Sequence, residues 1–212
     1  MSRYTGPSCR LCRREGTKLF LKGTRCLTEK CAVDRRGYAP GQHGQAGGGR
    51  PRKQSEYARQ LREKQKVKRM YGVSEKQFRN TFEEASHLPG MKGTNLLVAL
   101  ETRLDNLVYR MGFATSRKAA RQLVMHGHVQ VNGRRLDIPS AHVRVGEEVR
   151  VAPESRDLLT IKLARESAAR GAPLPWLSVD AEKAAGRVTE LPVREAIPVN
   201  AQEQLIVELY SK

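Results

Sequence analysis

Between residues 103 and 136 the apolar positions follow two periods in succession, helical and then strand-like. At 100° per residue, Leu104, Leu107, Val108 and Met111 share one face of a first helix over residues 103–111, while Arg103, Asn106, Tyr109 and Arg110 take the other. Gly112 ends it. Ser116 is placed to cap a second helix, residues 117–126, which Gly127 closes. Its core face is Ala119, Ala120, Leu123 and Val124, and Arg117, Lys118, Arg121 and Gln122 fill the remaining arc. Residues 128–131 then alternate as a strand, and Asn132-Gly133 predicts a tight hairpin because both turn positions must accept positive φ. Arg134 and Arg135 follow directly, which puts the basic helix arc and the hairpin tip on one surface.

Arg117 and Lys118 sit in the first turn of their helix, where the macrodipole disfavours cations and orphan N–H groups favour an anion. A local rule broken in this way marks a functional site, and a phosphate there would satisfy the N–H groups and both side chains. The competing reading is a solvated basic face.

The flanking segments are mostly helical in period. Ser55 caps a long helix over residues 56–71, ended by Gly72. Its charges, Arg59, Arg62, Lys64, Lys66, Lys68 and Arg69, spread around most of the circumference, so it is expected to gain little from core packing and to lie against RNA or bridge elements. Ser74-Glu75-Lys76-Gln77 is a capping box opening a helix to His87, with Phe78, Phe82 and Ala85 inside. Residues 89–93 form a loop and residues 95–101 a buried helix. Residues 143–146 and 148–151 read as short strands that complete a small sheet with the hairpin. Residues 158–170 are helical, 176–179 and 187–191 are strands, and the lone Trp176 belongs to the core. Asn200 with Glu203 caps a last helix carrying Leu205, Ile206 and Leu209, with a strand as the alternative.

Charge changes the picture most. The 212 residues hold 39 Lys+Arg against 22 Asp+Glu, a net of +17, which predicts a polyanionic partner. The excess is concentrated: residues 1–72 carry 19 basic and 5 acidic side chains, and residues 103–135 carry 7 and 1. Two basic surfaces follow. The longest purely apolar run, residues 96–100, is far too short to span a membrane, and the N-terminal MSRYTGPS has no signal-peptide core. Aromatic residues make up 5% of the chain, which favours recognition of phosphate and shape over base stacking.

All four cysteines, Cys9, Cys12, Cys26 and Cys31, fall in a C-x2-C-x13-C-x4-C pattern, the spacing a tetrahedral four-thiolate site needs. Disulfides would require an oxidising compartment, and a CxxC redox motif would sit beside a βαβ pattern that is missing here. Zinc is the expected occupant, with an iron–sulfur cluster as the alternative. Arg10, Arg13, Arg14, Lys18, Lys22, Arg25 and Lys30 surround the cysteines with few large apolar residues among them. A segment so charged cannot build a core, and structural zinc supplies about 10–16 kcal/mol in small peptides. The expected site is structural and folds a basic arm. The glycine-rich stretch over residues 38–52 reads as a flexible basic linker, since no strand precedes it and no GK[ST] follows.

Residues 3–16 (RYTGPSCRLCRREG), 38–44 (YAPGQHG), 57–72 (YARQLREKQKVKRMYG) and 103–135, together with the ending QLIVELYSK, closely resemble the bacterial small-subunit ribosomal protein four family along almost the whole chain. Ala201-Gln202 and the glycine run at 47–49 depart from the family pattern. The resemblance implies a primary binder of small-subunit ribosomal RNA at a multi-helix junction, one that nucleates assembly of the subunit body and contributes to translational accuracy. It implies a cytoplasmic, ribosome-bound protein beside small-subunit proteins three and five, some members also regulating their own messenger RNA. It also matches the four cysteines to the family's zinc-binding type.

The fold class expected from these readings is α+β: an N-terminal four-cysteine metal knuckle and helical domain, followed by a small helix-helix-hairpin RNA-binding domain with a short, mostly antiparallel sheet. The expected domains are a metal-binding arm (1–46), a helical domain (47–102) joined by residues 198–212, the RNA-binding module (103–165), and an extension packing on it (166–197). The RNA-binding set is Arg103, Arg110, Ser116, Arg117, Lys118, Arg121, Gln122, Arg134 and Arg135 in the module, and Arg13, Arg14, Arg59, Arg62, Lys66 and Arg69 in the N-terminal part. Outside the module there is no nucleophile elbow, zinc-hydrolase motif or P-loop, so no catalytic residues and no enzyme are expected. The other class to be weighed is a zinc-dependent nucleic-acid-binding regulator, which would prefer duplex DNA to junctioned RNA.

Overall fold

A computed structural model describes residues 4–44, 54–168 and 174–211. The glycine run of the expected linker and the end of the helix expected at 169–170 lie outside the described residues. The chain forms two compact units, one within Met1–Glu83 and Asn200–Lys212, the other Glu84–Val199.

The first unit opens with α1 (Ser8–Glu15), which Gly16 ends at φ 66°, and continues through a 3₁₀ turn (Gly23–Leu27) to the single-turn α2 (Ala32–Arg35). Cys12, Leu19 and Leu21 are buried together, with Leu11, Val33 and Met70 against them. That core is small, as the charged composition requires. Next comes α3 (Glu56–Tyr71), where the Ala58 N–H donates to Ser55 Oγ at 3.2 Å and Gly72 closes the C-terminus at φ 62°. α4 (Glu75–Ser86) follows, with the Gln77 N–H donating to Ser74 Oγ at 3.3 Å.

The second unit contains α5 (Lys92–Glu101), α6 (Leu104–Arg110), α7 (Arg117–Met125), β1 (Val129–Val131), β2 (Arg134–Arg135), β3 (Glu148–Val151), α8 (Leu159–Ala168), β4 (Leu177–Asp180) and β5 (Ala185–Val188). The strands form one antiparallel sheet in the order β2-β1-β3-β5-β4. Val131 pairs with Arg134 across a turn in which Asn132 (φ 49°) and Gly133 (φ 80°) both take positive φ, as the hairpin signal demands. Asn132 Oδ1 also accepts from the Glu148 N–H at 3.0 Å, tying the turn to β3. Leu104, Leu107, Val124, Val129, Val149, Ile161 and Trp176 are among the fully or almost fully buried side chains between helices and sheet. Gly186 sits where the sheet presses on α6, because a Cβ there would meet Met111 Sδ at 2.8 Å.

The last helix, α9 (Glu203–Tyr210), returns to the first unit and settles the terminal segment as helix. It lies along α3, whose Gln60, Lys64, Val67 and Tyr71 form a buried face at four- and three-residue spacing. This corrects the expectation that the helix gains little from core packing, while its contacts with α1 and α9 fit the alternative that it bridges elements. Gln60 Nε2 donates to Glu208 Oε2 at 3.0 Å, and the Tyr210 ring stacks 4.6 Å from Phe82. Lys64 and Lys68 hold Glu75 at 2.5 and 2.6 Å. Burial pushes the Glu75 carboxyl up, but those two hydrogen bonds outweigh it and leave it below its ordinary value.

Other expectations shift in detail. Residues 143–146 are not a strand: Val143 is buried in the core and Gly146 turns the chain at φ 88°. β5 begins at Ala185 instead of 187, and α1 and α2 had no counterpart in the apolar pattern.

Candidate nucleic-acid interface

Two buried carboxylates organise the basic face of the second unit. Glu101, the last residue of α5, is 0% exposed and receives Arg110 through Nε at 2.9 Å and Nη2 at 2.5 Å. Asn106 Nδ2 reaches the same side chain at 2.7 Å and the Glu101 carbonyl at 2.9 Å. Asp105 takes the Arg103 fork at 3.1 and 2.9 Å and Arg121 at 3.4 Å. Arg103 is 2% exposed, and its backbone is bridged to His142. Arg103 and Asn106, placed on the solvent arc by periodicity, are therefore interior, and Arg110 is drawn inward with only 11% of its side chain exposed. The physical reason is the pair of carboxylates: a buried charge has to be matched by a partner.

α7 presents the remaining cations. The Ala119 N–H donates to Ser116 Oγ at 3.3 Å, which makes Ser116 a cap with little surface of its own. Arg117 donates from Nε to Asn106 Oδ1 at 2.8 Å and lies 4.7 Å from the Tyr109 ring centroid. No acidic residue occupies the first turn of α7. Lys118 and Gln122 are exposed and Arg121 is half-buried. At the far end of the helix, Gly127 adopts φ 77°, and a Cβ there would collide with the Arg135 guanidinium. Arg135 thus lies over the C-terminal end of α7, where the dipole favours a cation, and Arg134 is exposed beside it. Arg117, Lys118, Arg121, Gln122, Arg134 and Arg135 belong to one helix–hairpin frame, with Arg117 and Arg135 at opposite ends of α7.

In the first unit Arg13 is engaged internally: it donates to the carbonyls of Tyr38 at 3.0 Å and Ala39 at 3.3 Å and stacks 4.7 Å from the Tyr38 ring. Arg62 and Arg69 close on Glu15, whose side chain is 2% exposed. Burial raises the Glu15 carboxyl, with Arg69 and Arg62 opposing it. Lys66 pairs with Glu63 at 2.6 Å, while Arg14 and Arg59 are exposed, the latter 3.1 Å from Glu56.

The four cysteines are free thiols within this unit; Cys12, Cys26 and Cys31 are buried and Cys9 half-buried. Burial pushes the Cys12 thiol up; a hydrogen bond at the Leu19 backbone lowers it, and Cys26, Cys9 and Cys31 raise it further. Among the described residues no group of three His, Cys, Asp or Glu side chains is drawn into ligand geometry. The donor set is that of a structural zinc or an iron–sulfur cluster.

Sequence reasoning missed Glu101, Asp105 and Asn106 as organisers of the interface. The available signal was Asp105, a lone acid in a strongly basic stretch. It also left Arg10, Lys22, Arg25, Lys30 and Arg36, all exposed around the cysteines, out of the binding set.

A net +17 chain whose exposed cations ride on a braced helix–helix–hairpin frame defines the class of nucleic-acid-binding proteins that address phosphate. Comparison with known proteins narrows it. The ribosomal protein S4/S9 N-terminal domain matches residues 3–101, and the S4 domain matches residues 102–149. The small ribosomal subunit protein uS4 of Thermus thermophilus is 56% identical over 212 residues, covering all of both chains. Its namesakes from Desulfitobacterium hafniense and Acidobacterium capsulatum are 58% and 55% identical, again over the full length of each. The chain belongs to the ribosomal protein S4 family.

Proposed function

We propose that the chain is a structural, non-enzymatic component of the small ribosomal subunit that works in the cytoplasm by binding small-subunit ribosomal RNA. The observation that carries this reading is the match, along its entire length, to small-subunit proteins at 55–58% identity. The geometry supports it: α7 and the β1–β2 hairpin present Arg117, Lys118, Arg121, Arg134 and Arg135 from a frame fixed by buried ion pairs, which suits phosphates held in a set register. In the first unit, exposed cations around the cysteines supply sequence-independent attraction. The finer role is the one the family resemblance carries: binding at a multi-helix junction, nucleation of subunit-body assembly, a contribution to translational accuracy, neighbours among small-subunit proteins such as three and five, and contact with messenger RNA.

The same reading gives Cys9, Cys12, Cys26 and Cys31 a zinc ion, with an iron–sulfur cluster as the alternative. Bound metal supplies a cross-link for a segment whose own core is only Cys12, Leu19 and Leu21 and the side chains against them. Four thiols within one short segment, three of them buried, are the donors this reading assigns to the ion.

The decisive experiment is co-sedimentation with the small subunit at moderate salt, paired with competition between a junctioned ribosomal RNA fragment and duplex DNA at equal salt. Retention on the subunit and preference for the RNA junction are expected. A protein that stays free, or that prefers duplex DNA, would overturn the ribosomal reading in favour of a zinc-dependent regulator.

A further inference from the structure

We propose that Asn106 is a positioning residue of the RNA interface, one that fixes the guanidinium of Arg117 to receive a phosphate. The inference rests on the RNA-binding reading above and deepens it.

Asn106 is 1% exposed, so its amide has to find its partners inside the protein. Nδ2 points at two acceptors of Glu101, the carbonyl at 2.9 Å and Oε2 at 2.7 Å. A flipped amide would set oxygen against oxygen, so Glu101 dictates which way Asn106 faces. Oδ1 is thereby turned outward to Arg117 and accepts from its Nε at 2.8 Å. Tyr109 adds a second constraint, its ring 4.7 Å from the same guanidinium. Arg117 is held along one edge and over one face before any partner arrives.

Where this happens matters. Arg117 is the first residue of α7, in a turn with no acidic residue, beside backbone N–H groups oriented for an anion. A long side chain ordered in advance carries less entropy loss into the complex, and its planar fork meets the phosphate in a fixed orientation. Glu101 is the anchor of the arrangement, since Arg110 holds it in place from the other side at 2.9 and 2.5 Å.

The test is a double-mutant cycle on the full chain, reading affinity for a junctioned small-subunit ribosomal RNA fragment at fixed salt. Asn106→Leu keeps the branching, the heavy-atom count and the net charge. It is expected to weaken binding on the order of 10-fold, the loss of one hydrogen bond to a charged group, with the salt slope unchanged because no cation is removed. Arg117→Lys keeps the charge but has no Nε donor and no plane, and should lose a similar factor. The double variant should be no weaker than Arg117→Lys alone. An equal loss from Asn106→Leu in both backgrounds would show that Asn106 acts on the fold at large, and no loss in either would show that it positions nothing; each result overturns the proposal. If Asn106→Leu fails to fold, the smaller Asn106→Ala takes its place in the same cycle and is judged by the same coupling. The wild-type arm keeps the readings apart: a wild-type chain that does not bind the fragment refutes RNA binding, and this inference with it.

Discussion

Arg110→Ala separates a structural arginine from an RNA-facing one. Glu101 is 0% exposed and holds two guanidinium hydrogen bonds from Arg110, at 2.9 and 2.5 Å. After the substitution the carboxylate keeps the Asn106 amide at 2.7 Å, but its ion pair with Arg110 is gone. Removing one partner of a buried pair costs about 3–5 kcal/mol, most of it the stranded charge. The Arg110 side chain is 11% exposed, so water gains some access to the gap and the expected loss lies near 3 kcal/mol.

The assay is urea denaturation followed by the fluorescence of Trp176, the single tryptophan, which is 0% exposed in the core of the second unit and so reports that unit's unfolding. With a slope of about 1.5–2 kcal/mol per molar, the midpoint should fall by roughly 1.5–2 M with little change in slope. Lys118→Ala, exposed on α7, is the control: it should stay within about 0.5 kcal/mol of wild type yet lower the RNA salt slope by about one unit. An Arg110→Ala protein as stable as Lys118→Ala, with the loss confined to RNA affinity, would refute the internal role assigned to Arg110.

Replacing Arg117 and Arg121 together by Gln should flatten the salt dependence of RNA binding by about one to two units, measured by titration over a salt series. Glutamine is the better choice than glutamate here, since a carboxylate at 121 would face Asp105, 3.4 Å from the present guanidinium. Elemental analysis of anaerobically purified protein should find about one zinc, or the iron of a cluster, per chain; Cys12→Ser should lose it and open the segment around α1 to protease, and finding neither metal would end the metal reading. Acid should loosen the first unit through Glu75. Its folded value lies below the ordinary 4.5, so its contribution is present above that pH and is lost as pH falls through the folded value. With 43% of that side chain exposed the effect is below about 1 kcal/mol, and replacing Lys64 and Lys68 together by Met should abolish it in denaturation followed by helical circular dichroism.

How far the chain could be read in advance depended on the kind of force shaping each segment. α7 and the β1–β2 hairpin were legible because local chemistry sets them: Ser116 as cap, glycine after the helix, and two positive-φ residues in the turn. α6 was half legible. Its apolar face is buried as the period requires, but its other side is also covered, and Arg103, Asp105 and Asn106 are buried because they satisfy one another and Glu101. No hydropathy pattern records a polar cluster whose burial depends on its partners. α3 failed for a related reason, its inner face being two apolar residues, Val67 and Tyr71, and two polar ones, Gln60 and Lys64, that reach Glu208 and Glu75 on other helices. α1 escaped because a charged helix whose buried side chains are Ser8 and Cys12 has no run of large apolar residues at helical spacing to detect.

The same cluster changes what the local charge means. Residues 103–135 carry seven cations and one acid, a count that suggests a diffuse electropositive field. Yet Arg103, Arg110, Arg117 and Arg121 are tied, directly or through Asn106, to two carboxylates beneath them, Asp105 and Glu101. Those acids subtract from the long-range attraction and in return give the guanidiniums fixed positions. Diffuse attraction then falls to the exposed cations of the first unit, including Arg10, Lys22, Arg25 and Lys30. On the RNA-binding reading proposed above, the chain divides its labour by how its cations are held: the exposed N-terminal ones raise encounter with any polyanion, and the braced Arg117 and Arg121 of α7 favour an RNA whose phosphates match a preset geometry, while Arg103 and Arg110 stay inside as part of the brace.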